Sequence, residues 1–256
     1  MNWRGVLPVI AVAAMAGCSV PEPGTVALND AYDPFEEENR ERHRFNKSLD
    51  RGVVRPLGKG YGSSLPDPVE TGISNFADNL NMPGVAVNST LQGDLRGLGL
   101  ATVRFVVNTT IGIGGLFDPA DAMGIPDHDT DFGETLHVWG APEGAYLELP
   151  LLGPSTERDT VGMVVDVFTN PLLYAFKGSD RGILALLVIL SGLGDRSQFS
   201  DTVDSVLYES ADSYAQSRLI YLQNRRFKLG QNQAGETGTD PYDDVYTDPY
   251  EDPYAE

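Results

Sequence analysis

The sequence is short of cysteine, of long apolar runs and of basic residues, and each shortage narrows the choice of function. Cys18 is the only cysteine among 256 residues, which excludes an intrachain disulfide. No stretch after Cys18 reaches the roughly 18 consecutive apolar residues that a spanning helix needs. The 18 Lys and Arg against 37 Asp and Glu give a net charge of -19, which argues against binding nucleic acid or docking electrostatically on anionic lipid. Hydrophobic burial must therefore drive any contact with a membrane.

The N-terminus has the pattern of an exported lipoprotein. One positive charge at Arg4 precedes an apolar run from Val6 to Met15, as in a secretory signal peptide. The run ends in Ala-Gly directly before Cys18, which predicts cleavage before the cysteine and acylation of its sulfur. A plain signal peptide with an incidental cysteine is the alternative. Ser19, rather than the Asp that retains lipoproteins in the inner membrane, favours the outer membrane of a Gram-negative bacterium.

The C-terminal end differs in composition from the rest of the chain. It carries eight acidic side chains, no Lys or Arg after Gly230, and three Asp-Pro-Tyr repeats. With few aliphatic side chains it cannot bury enough surface to fold, so we predict disorder. The sequence thus divides into a lipoprotein signal peptide (1–17), a lipidated tether (18–29), a helical domain (30–229) and an acidic disordered tail (230–256).

Within the domain, the patterns predict many short amphipathic helices. Asp67 and Pro68 are typical of a helix start, and Ser155 or Thr156 can cap a helix that Pro171 ends. A last helix is predicted from about Ser200 to Leu229, with three cations near its end that suit the helix dipole: Arg225, Arg226 and Lys228. Alternating strand patterns are short and interrupted. The predicted fold class is mainly α.

None of the motifs calls for an enzyme, a metal or a cofactor. The glycine-rich run from Gly112 to Gly115 lacks the Lys-Ser/Thr of a phosphate loop, so a turn between packed helices is the better interpretation. His43, His128 and His137 match no standard metal-ligand spacing. No Gly-x-Ser-x-Gly nucleophile motif is present, which weighs against a lipid hydrolase. Ser155 is better explained as a helix cap.

Ordered sequence blocks over about residues 33–226 resemble the MlaA/VacJ family of phospholipid-transport lipoproteins. The blocks are DPFEEENR from Asp33, RFN from Arg44, RP at Arg55, VETGISNFADNL from Val69, NSTLQG from Asn88, RFVVNTTIGIGGLFD from Arg104, DFGETLHVWG from Asp131, GAYLELPLLGPSTERD from Gly144 and SYAQSRLIYLQNRRF from Ser213. Glu38 and His43 depart from the family, since many relatives carry Phe there. The resemblance therefore gives little support to membrane insertion of the first helix through these two positions.

The resemblance implies a ring-like, donut-shaped single domain of helices that lies in the inner leaflet of the outer membrane around a central channel. Such a protein removes mislocalised phospholipid from the outer leaflet and passes it to a soluble periplasmic lipid carrier, often beside a trimeric porin. It is not an enzyme, and it needs no cofactor because the driving force comes from its partners. The alternative is a structural envelope lipoprotein that acts as a porin-binding scaffold, and a lipid hydrolase is a distant third hypothesis.

Five polar residues within these blocks stand among apolar helix-forming stretches: Asn39, Arg40, Arg104, Arg158 and Asp159. Hydrogen bonds and ion pairs that tie short helices together are the favoured interpretation, because buried charges are usually paired. The alternative is that these side chains contact the lipid headgroup or line the channel.

Overall fold

Helices make up most of the computed structural model, which describes residues 31–172, 176 and 179–237. In chain order they are α1 (Glu36–Leu49), α2 (Arg55–Ser64), α3 (Asp67–Gln92), α4 (Leu95–Thr110), α5 (Pro119–Ala122), α6 (Phe132–Val138), α7 (Glu157–Thr169), α8 (Ser179–Gln198), α9 (Ser200–Asp204) and α10 (Ser213–Thr237). Strands β1 (Tyr146–Leu149) and β2 (Gly153–Thr156) form one antiparallel hairpin. The mainly helical prediction is confirmed.

Two π-helical segments interrupt the regular helices. Asp50–Val54 joins α1 to α2, and Ser205–Glu209 follows α9. The wider π turn lets the chain continue from α1 into α2 without a loop, since the residues on both sides keep right-handed helical angles. Such segments occur often at functional positions, and no sequence pattern predicted either of them.

Helices α3 and α4 form a hairpin around a small apolar core. Gly93, with φ of +78°, ends α3, and the carboxylate of Asp94 caps α4 by accepting the N–H of Gly97 at 2.9 Å. Met82 and Val85 of α3 pack there against Ala101 of α4. The helix start at Asp67 lacks the predicted cap, since Asp67 is itself the first helical residue and makes no capping hydrogen bond.

The β hairpin leads directly into α7. Tyr146 pairs with Thr156 in the hairpin register, and Tyr146 packs against Tyr214 and Leu222 of α10 in a second apolar core. Thr156 is the N-cap of α7, because its Oγ1 accepts the N–H of Asp159 at 3.2 Å. The cap predicted at Ser155 or Thr156 is thus confirmed for Thr156.

The single helix predicted over 200–229 is wrong in two respects. The helix is interrupted at residues 210–212. The π-helical segment that follows α9 ends there, and Ser210 adopts an extended conformation. The last helix then continues to Thr237 rather than ending near Leu229. No proline lies between Ser213 and Thr237, and a single glycine costs a helix only about 1 kcal/mol relative to alanine, so Gly230 does not end α10.

Signal peptide, Cys18, the tether and residues 238–256 lie outside the described residues, so the predictions about them remain predictions.

Candidate functional site

The packed interior of this fold is unusually polar. Among the described residues, buried polar and charged side chains outnumber buried hydrophobic ones. Since buried polar groups are costly unless they are hydrogen-bonded, the partners of the five candidate residues decide what those residues can do.

Asn39 is fully buried and joins α1 to the β hairpin. Its Nδ2 donates to Asp33 Oδ1 at 2.9 Å and to the carbonyl oxygen of Tyr146 at 3.0 Å, while its Oδ1 accepts the N–H of Glu148 at 2.9 Å. Its Oδ1 also accepts from a terminal nitrogen of Arg42 at 3.2 Å, so all four hydrogen-bonding positions of the amide are occupied.

Arg40, one residue further along α1, reaches the start of α10. Its two terminal nitrogens donate to both carboxylate oxygens of Asp212 at 3.1 and 2.9 Å, and its Nε donates to Glu36 at 2.7 Å. The bidentate pair lowers the pKa of Asp212 to about 2, because the hydrogen bond from Arg40 favours the charged carboxylate.

Arg104 of α4 is buried beneath the loop that follows it. Its terminal nitrogens donate to Asp118 at 2.7 Å and to the carbonyl oxygen of Ile125 at 2.6 Å. Its Nε makes no hydrogen bond, although the carboxylate of Asp127 lies 3.4 Å away as an ion pair. The turn between α4 and Asp118 contains Gly115 at φ of +98°. The glycine-rich run therefore forms the predicted turn between helices.

Arg158 and Asp159 lie side by side at the start of α7, and both are buried. Asp159 accepts hydrogen bonds from Tyr221 at 2.5 Å and from Arg225 at 3.0 and 3.1 Å. Arg158 lies 3.3 Å from a ring nitrogen of His137, and its Nε forms an ion pair with Asp159 Oδ1 at 3.5 Å, yet its Nε and Nη2 make no hydrogen bond. The carboxylate of Asp159 is therefore fully engaged in hydrogen bonds within the domain. Arg158, in contrast, keeps buried N–H donors that make no hydrogen bond.

Arg225 of α10 donates hydrogen bonds to two carboxylates of this cluster, those of Asp131 and Asp159. Burial alone would raise the pKa of Asp131, but two hydrogen bonds from Arg225 at 2.7 Å outweigh burial and hold that pKa below its ordinary value. Burial raises the pKa of Glu134, and burial together with the charge of Arg158 lowers the pKa of His137. These pKa shifts favour the charged carboxylate of Asp131 and the neutral imidazole of His137.

Sequence analysis missed a second ionic cluster, which joins the two π-helical segments. Arg196 of α8 donates to both carboxylate oxygens of Asp50 at 2.8 and 3.0 Å and to Asp204 at 2.6 Å. Tyr208 also donates to Asp50, at 2.6 Å. Asp50 and Arg196 are far apart in the sequence, and neither belongs to a local motif that could have signalled their pairing.

The three histidines have separate partners. His43 lies 3.3 Å from Glu148 and 3.1 Å from Ser213, His128 pairs with Asp94, and His137 faces Arg158. Over residues 31–172, 176 and 179–237, no group of three or more His, Cys, Asp or Glu side chains is placed to hold a metal ion.

Many large apolar side chains of the helices lie exposed at the surface. Val164 and Phe168 of α7 are 55% and 60% exposed, and Leu95 of α4 is 80% exposed. The longest apolar run, in α8, is also at the surface, with exposed Ile183 and Ile189. Exposed apolar surface on this scale marks an interaction with a membrane or a partner.

None of the helices within the described ranges is long and apolar enough by itself to cross a membrane. One bent pair, Gly182–Gln198 with Ser200–Glu209 at an angle of 77°, meets the length and composition requirement together.

A helical domain with polar side chains inside and apolar side chains outside belongs to the class of membrane-associated helical proteins. The sequence model of the MlaA lipoprotein family matches residues 31–228, and the chain belongs to this family. It is 35% identical over 199 residues to the Escherichia coli intermembrane phospholipid transport system lipoprotein MlaA, covering 76% of this chain and 77% of that protein.

Two further relatives and a solved structure agree with this assignment. The Haemophilus influenzae lipoprotein of the same description is 30% identical over 243 residues, covering 93% of this chain and 95% of that one. An uncharacterized protein of Rickettsia felis is 37% identical over 191 residues, with 74% of both chains covered. A structure from work on the maintenance of bacterial outer membrane lipid asymmetry matches with a TM-score of 0.67 at 33% identity, covering 77% of this chain and 98% of that one.

Proposed function

We propose that this protein is an outer-membrane lipoprotein of intermembrane phospholipid transport, which maintains the lipid asymmetry of the outer membrane. It removes mislocalised phospholipid from the outer leaflet and is a transport protein rather than an enzyme. Membership of the MlaA lipoprotein family, together with the similarity to the transport lipoprotein of Escherichia coli, carries this proposal.

The proposal extends to how the domain lies in the membrane. We place it as a ring in the inner leaflet of the outer membrane, with lipid passing through a central channel. The exposed apolar faces of α4, α7 and α8 support this placement, because each would otherwise expose large side chains to water. The polar interior supports a path that a charged headgroup could follow.

The anchoring and the domain boundaries are part of the same proposal. Residues 1–17 are removed, Cys18 is acylated, 18–29 form a tether, 30–229 form the transport domain, and an acidic tail follows. Mass spectrometry of the mature N-terminus tests the anchor, since an acylated peptide that begins at Cys18 is expected. An unmodified peptide with a different first residue would remove the anchor.

Among the five candidate residues, Arg104 and Arg158 are the best placed to meet a lipid phosphate. Each has buried N–H groups without a hydrogen-bond acceptor, and a phosphate oxygen would supply one. Asn39, Arg40 and Asp159 have their hydrogen bonds directed to other parts of the chain, which supports a structural role for them.

We propose two protein partners, a trimeric outer-membrane porin and a soluble periplasmic lipid carrier. The experiment that tests the function incorporates the acylated full-length chain into vesicles that contain labelled phospholipid and measures label arriving on the purified carrier. We expect transfer well above that from protein-free vesicles. Transfer no faster than from protein-free vesicles, by a folded chain that binds purified porin in a separate pull-down, would favour the porin-scaffold alternative.

A further inference from the structure

A polar cavity of about 450 Å³ lies between α2, α3 and α8, separate from the clusters around Arg225 and Arg196. Three carboxylates line it, those of Asp67, Glu70 and Asp195. The remaining lining residues are glycines, Tyr61 and neutral polar residues, and no Lys or Arg occurs among them. The cavity, here called the acidic cavity, therefore has an uncompensated negative charge.

Two polar atoms in the acidic cavity lack partners. Tyr61 is 8% exposed, and its hydroxyl group makes no hydrogen bond. Oε1 of Glu70 is likewise buried without a partner. Burial and the nearby carboxylates of Glu70 and Asp195 raise the pKa of Tyr61, so the group remains a neutral phenol. Buried polar atoms of this kind are normally satisfied, which points to a ligand that completes their hydrogen bonds.

The walls of the acidic cavity are held close together by glycine. A Cβ on Gly194 of α8 would lie 3.3 Å from the ring of Tyr61, and one on Gly62 of α2 would lie 2.1 Å from the hydroxyl of Ser197. Side chains at these positions would push α2 and α8 apart. The unpartnered atoms are thus held by packed helices, as a preformed binding site requires.

We infer that the acidic cavity receives the primary ammonium group of an ethanolamine phospholipid, an inference that rests on the proposed transport of phospholipid. An ammonium group is a cation with three hydrogen-bond donors and no acceptor, and it complements carboxylate and phenol oxygens. A lipid whose headgroup carries only the phosphate charge would meet repulsion there.

A divalent metal ion fits the acidic cavity less well. Ca²⁺ and Mg²⁺ require several oxygen ligands at about 2.0–2.6 Å around one point. The described residues of the cavity provide no such group. An ammonium group needs only hydrogen-bond distances of about 2.7–3.2 Å, so the more widely spread acceptors suffice.

The test incubates the acylated full-length protein with vesicles of equal parts phosphatidylethanolamine and phosphatidylglycerol, then measures by mass spectrometry the lipid retained on the repurified protein. We expect several-fold enrichment of phosphatidylethanolamine. Glu70→Gln should reduce the enrichment toward the vesicle ratio while the total retained lipid stays similar. Tyr61→Phe, which removes only the hydroxyl group, should reduce it partly.

The matched control is Glu41→Gln, which removes an exposed carboxylate of α1 that pairs only with the equally exposed Arg44. It should retain the wild-type enrichment. If Glu70→Gln fails to fold by circular dichroism, Tyr61→Phe still decides the question. Wild-type protein that retains the two lipids in the vesicle ratio would overturn the inference, as would enrichment that disappears in a chelator. Failure to retain or transfer any lipid would instead overturn the proposed function.

Discussion

Arg225 shows how a single side chain can acquire a role that its position in the sequence does not suggest. It was expected to complement the dipole at a helix end, but α10 continues past it, and its guanidinium joins α10 to Asp131 before α6 and to Asp159 of α7. The five polar residues do make hydrogen bonds and ion pairs that join separate elements, as the favoured interpretation expected. Their long-range partners could not be predicted, because residues such as Asp212 for Arg40 and Arg225 for Asp159 lie many residues away in the sequence.

Replacing Arg225 by alanine should strongly destabilise the fold. The Arg225→Ala change removes the hydrogen-bonded cation of the buried Asp159, which keeps only the longer 3.5 Å ion pair with Arg158, and breaking a buried pair costs about 3–5 kcal/mol. Urea unfolding of the detergent-solubilised protein measures the loss. Lys228→Ala is the matched control on the same helix, because its pair with Asp129 is exposed and should contribute less than about 1 kcal/mol. Equal unfolding midpoints for the two variants would contradict the prediction.

His137 should make stability depend on pH in the mildly acidic range. Burial, then the charges of Arg158 and Arg225, lower its pKa below the ordinary 6.5, while Asp159 and Glu143 act in the opposite direction. Between the lowered folded pKa and 6.5, the unfolded chain binds more protons than the folded one. Stability should therefore rise with pH through this window and fall as the pH drops below 6.5.

The variant His137→Gln cannot titrate, so its unfolding free energy should change less between pH 5 and pH 7 than that of the wild type. Asp131 and Asp212 titrate at lower pH and are present in both proteins, which leaves the difference between the two slopes to His137. Parallel slopes would show that the imidazole is not responsible.

At the scale of elements, local signals predicted what depends on local geometry. The cap at Thr156, the end of α7 before Pro171 and the turn at Gly112 to Gly115 all follow from backbone chemistry within a few residues. Local signals did not predict the two π-helical segments or the helix interruption at residues 210–212, because these features depend on tertiary contacts. Arg196 joins Asp50 of the first segment to Asp204, directly before the second, and Arg40 pairs with Asp212 at the break.

At Gly162, α6 and α7 approach each other closely. A Cβ there would lie 2.3 Å from the backbone nitrogen of Gly133, and backbone atoms cannot yield as a flexible side chain can. Gly162→Ala should therefore separate the two helices and lower stability by about 1–3 kcal/mol. Thermal unfolding measures the effect.

Gly60→Ala on α2 is the control for this change. A Cβ at Gly60 meets nothing within 4 Å, so the variant should gain up to about 1 kcal/mol from the better helix propensity of alanine. A Gly162→Ala protein as stable as Gly60→Ala would show that the contact between α6 and α7 is looser than the geometry indicates.

At the scale of the whole molecule, sequence patterns identified amphipathic helices but not the direction in which their faces point. Periodicity of 3.6 marks an apolar stripe, and such a stripe is the same whether it meets a core or a bilayer. The faces of α7 and α8 are exposed, whereas the interior contains ionic clusters such as Asp50 with Arg196. Only the distribution of these paired charges in three dimensions resolves the ambiguity.

This paired interior bears on whether transport requires the helices to move. A Cβ on Gly62 of α2 would lie 3.2 Å from Cβ of Ser197 in α8, slightly closer than the roughly 3.5–4.5 Å of a disulfide. A shift of a few tenths of an ångström would therefore allow the double variant Gly62→Cys with Ser197→Cys to lock α2 to α8. If the domain is a passive conduit, its transfer of phospholipid to the periplasmic carrier should be nearly the same with the disulfide formed or reduced.

The single variants Gly62→Cys and Ser197→Cys, tested in the same way, control for the added side chains beside the acidic cavity. Free-thiol labelling measures how much of the double variant carries the disulfide. A loss of transfer that appears only in the oxidised double variant and is reversed by a reductant would show that α2 and α8 must separate during transport. The domain would then be a gated conduit rather than a passive one, because the disulfide would block a movement of α2 and α8 that transport needs. Unchanged transfer would show that α2 and α8 stay together while lipid passes. The driving force would then come from the partners that take the lipid away.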